Sequence, residues 1–420
     1  MNQSIHNISS GQKLSILSTF GISFFIWGVI TGLNFFLIEH LKSIFHLSYS
    51  ISTLISLTFF STYLLVSLPA GKLIGNWGYK LGLIIGLFTT GLGCMLFYFA
   101  IYLSNYYFFL LAMVVQATGI TLLQVGANLY MLFFGSNRTA ISRLTLMQGL
   151  NALGAFLAPI YGSQFVEGLF GLSPSSIAAG KFSMEQEILY VESPYILLSI
   201  IMYFLTVFFV FVDIPEFSTK NLEPLNKKLP TIRHTHVMHF KQLRLGAFAM
   251  FAYLGAEVAL GNFLFNYANN TSKFYWGAAL IGRIIGALIL LKISPRKVLS
   301  WSAGISTLLL IISVIFSGDI SIQCTILIGF FNAVMFPCIY GLALNGLGKF
   351  SEEGSAVMIM AFVGAGVIPF NAANFAAALG YKIGFIFPLL CYLYILFYSE
   401  EGSRFEKKEN LENESAFTTS

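Results

Sequence analysis

Apolar positions along this chain form about twelve long, unbroken runs separated by short polar breaks. They cover Leu14 to Ile38, Ile51 to Ile74, Leu81 to Leu103, Tyr107 to Phe134, Leu144 to Val166 and Tyr195 to Val212, then Leu243 to Tyr267, Phe274 to Leu291, Val298 to Phe316, Ile320 to Leu344, Ala356 to Leu379 and Tyr381 to Tyr398. Each is close to the length, about twenty residues, that a helix needs to cross a bilayer. Helices satisfy their own backbone donors and acceptors where no water is available. The alternating segments of about ten residues that build a membrane barrel are absent. The pattern therefore predicts an all-α membrane protein with twelve transmembrane helices.

A polar stretch, DIPEFSTKNLEPLNKKLPTIRHTHVMHFKQLR from Asp213 to Arg244, divides the runs six and six. Its Pro215, Pro224 and Pro230 argue against one continuous helix, and its basic residues suit a linker near anionic lipid. The expected organisation is a tail over 1–13, a six-helix bundle over 14–212, a linker over 213–242, a second six-helix bundle over 243–398 and a tail over 399–420. His234, His236 and His239 of the linker form a possible metal-binding set; a solvated basic loop is the plainer reading. No metal or cofactor is expected.

The halves echo each other. GAFLAP (Gly154 to Pro159) and GAGVIP (Gly364 to Pro369) hold a shared Gly-x4-Pro pattern in the fifth and eleventh runs. Interrupted segments at matching places mark a transporter repeat with its site near mid-membrane; the alternative is that Gly and Pro are simply frequent in membrane helices.

Charge fixes the expected orientation. Eighteen of the 23 Lys and Arg fall in the two tails and the even-numbered loops, against four in the odd loops (Lys42, Lys181, Lys273 and Lys382), with Arg283 inside a span. By the positive-inside rule both termini are expected to be cytoplasmic, in a multi-pass chain whose expected location is the inner membrane. The formal charge of +5 then follows from topology, and no nucleic-acid partner is expected. Charged residues are only 10% of the chain, far below the roughly 25% of a soluble domain. Cys94, Cys324, Cys338 and Cys391 lie singly within apolar runs and read as small core residues. The polar tail Met1 to Lys13 precedes a first run too long for a signal core. The chain is expected to act as a monomer.

Polar side chains inside a bilayer are expensive, so each needs a partner, a wet path or a role. Gln124 and Asn128 are four apart, and Gln148 and Asn151 three apart, so each pair shares a helix face. With Asn34 they make an amide set in the first bundle. Amides donate and accept, which suits a hydroxyl-rich neutral solute such as a sugar; interhelical hydrogen bonding, averaging about 0.6 kcal/mol per contact, is the competing explanation. Glu257 and Arg283 are the deeply placed ionisable groups of the second bundle. If they pair, the arginine holds the carboxylate ionised and makes the two a structural tie. If they face different surroundings, Glu257 could load and release a proton. Trp27, Tyr63, Tyr130 and Trp276 are candidate stacking platforms for the apolar face of a pyranose.

The loop AGKLIGNWGYKLGL, Ala70 to Leu83, resembles the loop signature of the major facilitator superfamily through Gly71, Leu73, Gly78 and Lys80, with Gly75 and Asn76 where that motif has Asp and Arg. Further stretches, among them GLNFFLIEHLKSIFHLSYS, GITLLQVGANLY, SRLTLMQGLNALGAFLAP, GAEVALGNFLFNY, YWGAALIGRIIG and GFFNAVMFPCIYGLALNGLG, resemble the fucose permease and glucose/galactose transporter family of that superfamily. Gln124 and Glu257 are closer to the glucose/galactose branch. The resemblance implies the major facilitator fold, two six-helix bundles giving alternating access to a central sugar site. It also implies departures. Phe35 stands where the family has the Asp expected to carry the coupling proton, Leu129 where it has a Pro, and Ala377 where it has another Asp.

One charge moved through 100 mV is worth about 2.3 kcal/mol, or roughly forty-fold accumulation at 1.4 kcal/mol per decade. A chain without that Asp has three options: another proton or sodium site such as Glu257, facilitated diffusion, or a changed solute. The expected function is monosaccharide transport of the glucose, galactose or fucose class, not enzymatic catalysis. The alternatives are transport of a less polar or larger metabolite, and a binding or sensor derivative that moves nothing.

Overall fold

The computed structural model describes residues 9–44, 49–103, 105–170, 184–216, 236–268 and 271–404, with the side chains of 34–57, 101, 159–160, 162–193 and 266–267 outside the described set. Among the described residues the chain is helical throughout. The first half comprises α1 (Ser10–Ile44), α2 (Tyr49–Trp77), α3 (Tyr79–Tyr102), α4 (Tyr106–Phe133), α5 (Ala140–Phe170) and α6 (Met184–Phe211). The second comprises α7 (Lys241–Tyr267), α8 (Ser272–Ile289), α9 (Pro295–Ile315), the broken pair α10 (Asp319–Asn332) and α11 (Met335–Leu344), the broken pair α12 (Ser351–Met360) and α13 (Gly364–Leu379), and α14 (Tyr381–Gly384) continuing into α15 (Ile386–Phe397).

Nine stretches of the described residues are long and apolar enough to cross a membrane. Helices α2, α5 and α8, of 29, 31 and 18 residues, bring the count to twelve. Each surface is apolar outside as well as inside: Leu65, Phe204, Phe248 and Leu288 are all more than 60% exposed, an arrangement stable only against lipid.

Two runs that read as continuous are interrupted. The tenth breaks at Ala333 and Val334. Pro337 explains it, because its ring displaces the carbonyl four residues back, at Ala333, and it offers no N–H to that carbonyl. The eleventh passes through a tight 3-10 turn at Ala361–Val363 before α13. At the far end the last span continues beyond Tyr398 as a π-turn to Gly402, four residues past the apolar run.

The Gly-x4-Pro echo has a physical meaning. A Cβ at Gly154 of α5 would collide with the Phe25 carbonyl of α1, and one at Gly364, opening α13, would collide with the Phe251 carbonyl of α7. In both halves the fifth span therefore lies backbone-to-backbone on the first at the equivalent glycine, so the repeat is one of packing and goes beyond frequent membrane glycines. Such close approach is the usual means of helix association in lipid. Gly28 shows the same contact from the other side, since its missing Cβ lies where the Asn151 carbonyl sits. Gly28→Ala is expected to destabilise the protein by about 3 kcal/mol, measured as a loss of detergent-resistant folded protein on heating; an unchanged melting profile would mean α1 can retreat freely.

Within the first half α1 packs on α5, α3 on α4 and α6, and α2 on α4; in the second α7 packs on α11, α13 and α15, and α10 on α8 and α9. The halves meet where α12 lies against α2 and α4 and where α8 lies against α5.

Candidate functional site

Three of the five amides form one chain. Asn128, fully buried on α4, donates from Nδ2 to Gln124 Oε1 at 2.7 Å, one helical turn earlier. Gln148 of α5 donates from Nε2 to Asn128 Oδ1 at 2.8 Å. The Tyr63 hydroxyl of α2 lies beside Gln124, so the chain borders a third helix. Helical spacing puts Gln124 and Asn128 on one face, and the α4–α5 contact brings Gln148 to it.

Asn151 behaves differently. Its Nδ2 donates to the Phe24 carbonyl of α1 at 3.0 Å, on a helix that Gly28 allows to come close. It is a clamp between helices, with part of its surface exposed. Asn34 and Phe35 lie on α1, and their side chains are outside the described residues.

Glu257 and Arg283 do come together, with Arg283 Nη2 at 3.7 Å from Glu257 Oε1. That is an ion contact without a full hydrogen bond. Glu257 Oε1 and Arg283 Nε have no hydrogen-bond partner. Around them stand groups that the sequence reading did not single out. Tyr275 donates from its hydroxyl to the Glu257 carbonyl at 3.2 Å and accepts from Asn332 Nδ2 at 2.8 Å. Tyr253 lies beside both charges and Tyr392 beside Asn332. Tyrosines and a single Asn in apolar runs carry no spacing signal; only the pair at the centre of the cluster was visible as charge.

The two clusters are neighbours. Gly149, next to Gln148, faces the Arg283 side chain across the α5–α8 contact, with its missing Cβ 3.6 Å from Arg283 Cβ. The amide chain of one bundle and the charged cluster of the other thus flank the junction between bundles.

The aromatic candidates divide. Tyr63 lies beside Gln124 and packs against Phe362 of the other half, ring centroids 5.5 Å apart. Tyr130 is stacked between Phe20 and Phe134, and its hydroxyl donates to the Pro215 carbonyl at 3.2 Å; it is a packing residue at the helix end, and no platform. Trp27 is buried against Phe24. Trp276 packs over Gly261. Leu129 is fully buried in packing, and Ala377 is exposed on α13.

The end of the molecule bearing Lys72, Lys80, Arg138, Arg143 and Lys349, here the basic end, is shut by specific contacts. Tyr79 donates from its hydroxyl to Glu352 Oε1 at 3.0 Å, joining the start of α3 to the start of α12. Ser355 of α12 donates to the Val125 carbonyl of α4 at 2.8 Å, and Ser142 of α5 to the Ala287 carbonyl of α8 at 2.6 Å. Glu216, at the start of the linker, accepts from the backbone N–H of Tyr79 and of Lys80 at 2.8 Å each. A carboxylate there satisfies orphan donors and complements the helix dipole. Gly78 permits this twice over: its φ of +92 suits glycine, and a Cβ would meet the Glu216 carboxyl at 2.8 Å. Where Gly75 and Asn76 replace the Asp and Arg of the loop motif, the carboxylates that act at this end are Glu216 and Glu352.

Of the linker histidines, His234 lies outside the described residues. His236 accepts from the Met238 N–H and caps a short 3-10 turn. Among the described residues no group of three metal-ligating side chains occurs.

Comparison with known proteins fits this geometry. The chain is 37% identical over 418 residues to a glucose/galactose transporter of Brucella abortus biovar 1 (strain 9-941), covering 96% of this chain and 98% of the relative. It is 26% identical to the L-fucose-proton symporter of Escherichia coli (strain K12), covering 94% and 95%. The crystal structure of a Major Facilitator Superfamily transporter, FucP, in the outward conformation superposes with a TM-score of 0.79 at 25% identity, covering 94% of this chain and all of that one. The sequence pattern of the Major Facilitator Superfamily matches residues 19–372, and with twelve helices in two repeated halves enclosing polar clusters at their junction, the chain belongs to that family.

Proposed function

We propose that this protein transports a monosaccharide of the glucose, galactose or fucose class across the membrane by alternating access. The single observation that carries the reading is the Gln124–Asn128–Gln148 chain at the junction of the bundles. Three amides held by one another present spare donors and acceptors in fixed directions, as recognition of vicinal hydroxyls requires. Near full-length similarity to glucose/galactose transporters and to fucose-proton symporters supports the same substrate class. Asn151, which ties α5 to α1, belongs to the wall of that site, and Asn34 is proposed as a further contact from the sequence alone. The first bundle spans 14–212 and the second 243–398, with a linker between them, and the basic end with both termini faces the cytoplasm by the positive-inside rule.

Coupling to a proton, coupling to sodium and uncoupled facilitated diffusion are the alternatives that the loss of the Asp at Phe35 leaves open. Uptake of labelled glucose, galactose and fucose into membrane vesicles, with and without a gradient of each ion, tests the reading. Saturable uptake of at least one sugar is expected; none for all three would contradict it. A less polar or larger solute is favoured only by Phe35, because Leu129 is buried away in packing.

A further inference from the structure

The second polar cluster holds more polarity than an ion tie requires. Five buried polar atoms there lack hydrogen-bond partners: the Tyr253 hydroxyl, Glu257 Oε1, Arg283 Nε, Asn332 Oδ1 and the Tyr392 hydroxyl. They come from four helices, α7, α8, α10 and α15. Buried polar groups in native proteins are nearly always satisfied, so a concentration of exceptions calls for an explanation. A dry structural pair would be better served by close hydrogen-bonded geometry or by apolar replacements. The Glu257–Arg283 contact, at 3.7 Å, has neither.

The chemistry of the unmet atoms narrows what they await. Two only accept, one only donates, and two hydroxyls can do either. One carboxylate and one guanidinium leave the set neutral overall. A lone cation would face the guanidinium and a lone anion the carboxylate. A neutral, polyhydroxylated ligand matches both. Position agrees, since Arg283 stands against Gly149, the residue after Gln148, so the cluster adjoins the amide chain across the bundle junction. Asn332 closes α10, directly before the break at Ala333 and Val334, where an interruption of the helix can bring its side-chain carbonyl oxygen to bear.

We propose that Tyr253, Glu257, Arg283, Asn332 and Tyr392 form the second half of the solute site, hydrogen-bonding hydroxyls on the side of the sugar opposite the amide chain. The proposal rests on the sugar reading above. In it the charge pair is a substrate-recognition device: Glu257 Oε1 accepts from a hydroxyl and Arg283 Nε donates to one as the bundles reposition around the solute.

The test uses the purified full-length protein, with galactose and glucose binding measured at equilibrium and counterflow measured in liposomes. Glu257→Gln is expected to raise the galactose Kd at least tenfold and to slow counterflow in parallel. Tyr253→Phe, which removes a single oxygen and should fold even if Glu257→Gln does not, is expected to raise it at least threefold. Both are expected to alter the ratio of glucose to galactose affinity, a readout that a merely structural role would not move. Wild-type Kd values and counterflow in both variants, with only gradient-driven accumulation lost, would overturn the proposal in favour of a proton carrier. Recovery of wild-type affinity in the double variant Glu257→Gln, Arg283→Gln would overturn it in favour of a structural tie. If the wild-type protein binds no sugar at all, the sugar reading itself falls, and this proposal falls with it before any variant is compared.

Discussion

Replacing Asn128 by Leu is expected to lower kcat/KM for sugar uptake at least about a hundredfold while the protein still reaches the membrane. Asn128 is the middle link, giving a hydrogen bond to Gln124 and taking one from Gln148. Leucine matches it in size but does neither, and it leaves two amides with unmet groups in a buried setting. Each lost bond is worth about 1.5 kcal/mol at the upper end of neutral pairs. Two of them, at 1.36 kcal/mol per decade, give roughly a hundredfold. A site built to hydrogen-bond its substrate loses more than one lined by apolar groups. Initial uptake rates normalised to membrane protein check this; a rate within about threefold of wild type would make the amide chain an internal strut.

Breaking the Tyr79–Glu352 bond is expected to have the second largest effect, on conformation and not on affinity. That bond links the halves at the basic end, and both residues are nearly fully buried. A hydrogen bond to a charged group is worth about 1.5–3 kcal/mol. Removing it from the closed state alone should shift the population toward the state open at the basic end by about ten- to hundredfold. Tyr79→Phe is the clean variant, since it keeps the ring that packs edge-on against Tyr130. Spin labels at the exposed positions Asn137 and Lys349, in a background freed of cysteine, would report a longer distance across the basic end. An unchanged distance distribution would show that the Ser355–Val125 and Ser142–Ala287 contacts hold that end by themselves.

How much of this was legible in the sequence depends on the range of the interaction. The spans were visible because lipid imposes a length and a polarity on every helix. Gln124 and Asn128 were visible as a pair because four residues make one helical turn; their link to Gln148 required the α4–α5 contact. Asn151 read as a fourth member of the set, but the closeness of α1 at Gly28 turns its amide toward Phe24. Glu257 and Arg283 lay midway along adjacent spans, so their meeting was one of two outcomes the sequence allowed.

The contacts at the basic end were out of reach. Gly75 and Asn76 showed only that the loop lacks the Asp and Arg of the motif. The carboxylates that act there come from Glu216 and Glu352, more than 130 and 270 positions from Tyr79. No local pattern could assign them. The breaks at Ala333 and at Ala361 escaped a reading based on hydropathy because apolar runs continue through both; Pro337 was the one available sign of the first.

The central claim is that the junction of the two bundles holds and moves a sugar. Counterflow in liposomes containing only this protein tests it most directly, since exchange of labelled for unlabelled sugar needs neither an ion gradient nor a coupling residue. The account predicts transient accumulation of labelled glucose, galactose or fucose in liposomes preloaded with the same sugar, abolished by Asn128→Leu. Flat time courses for all three sugars, with the protein folded and inserted, would contradict it.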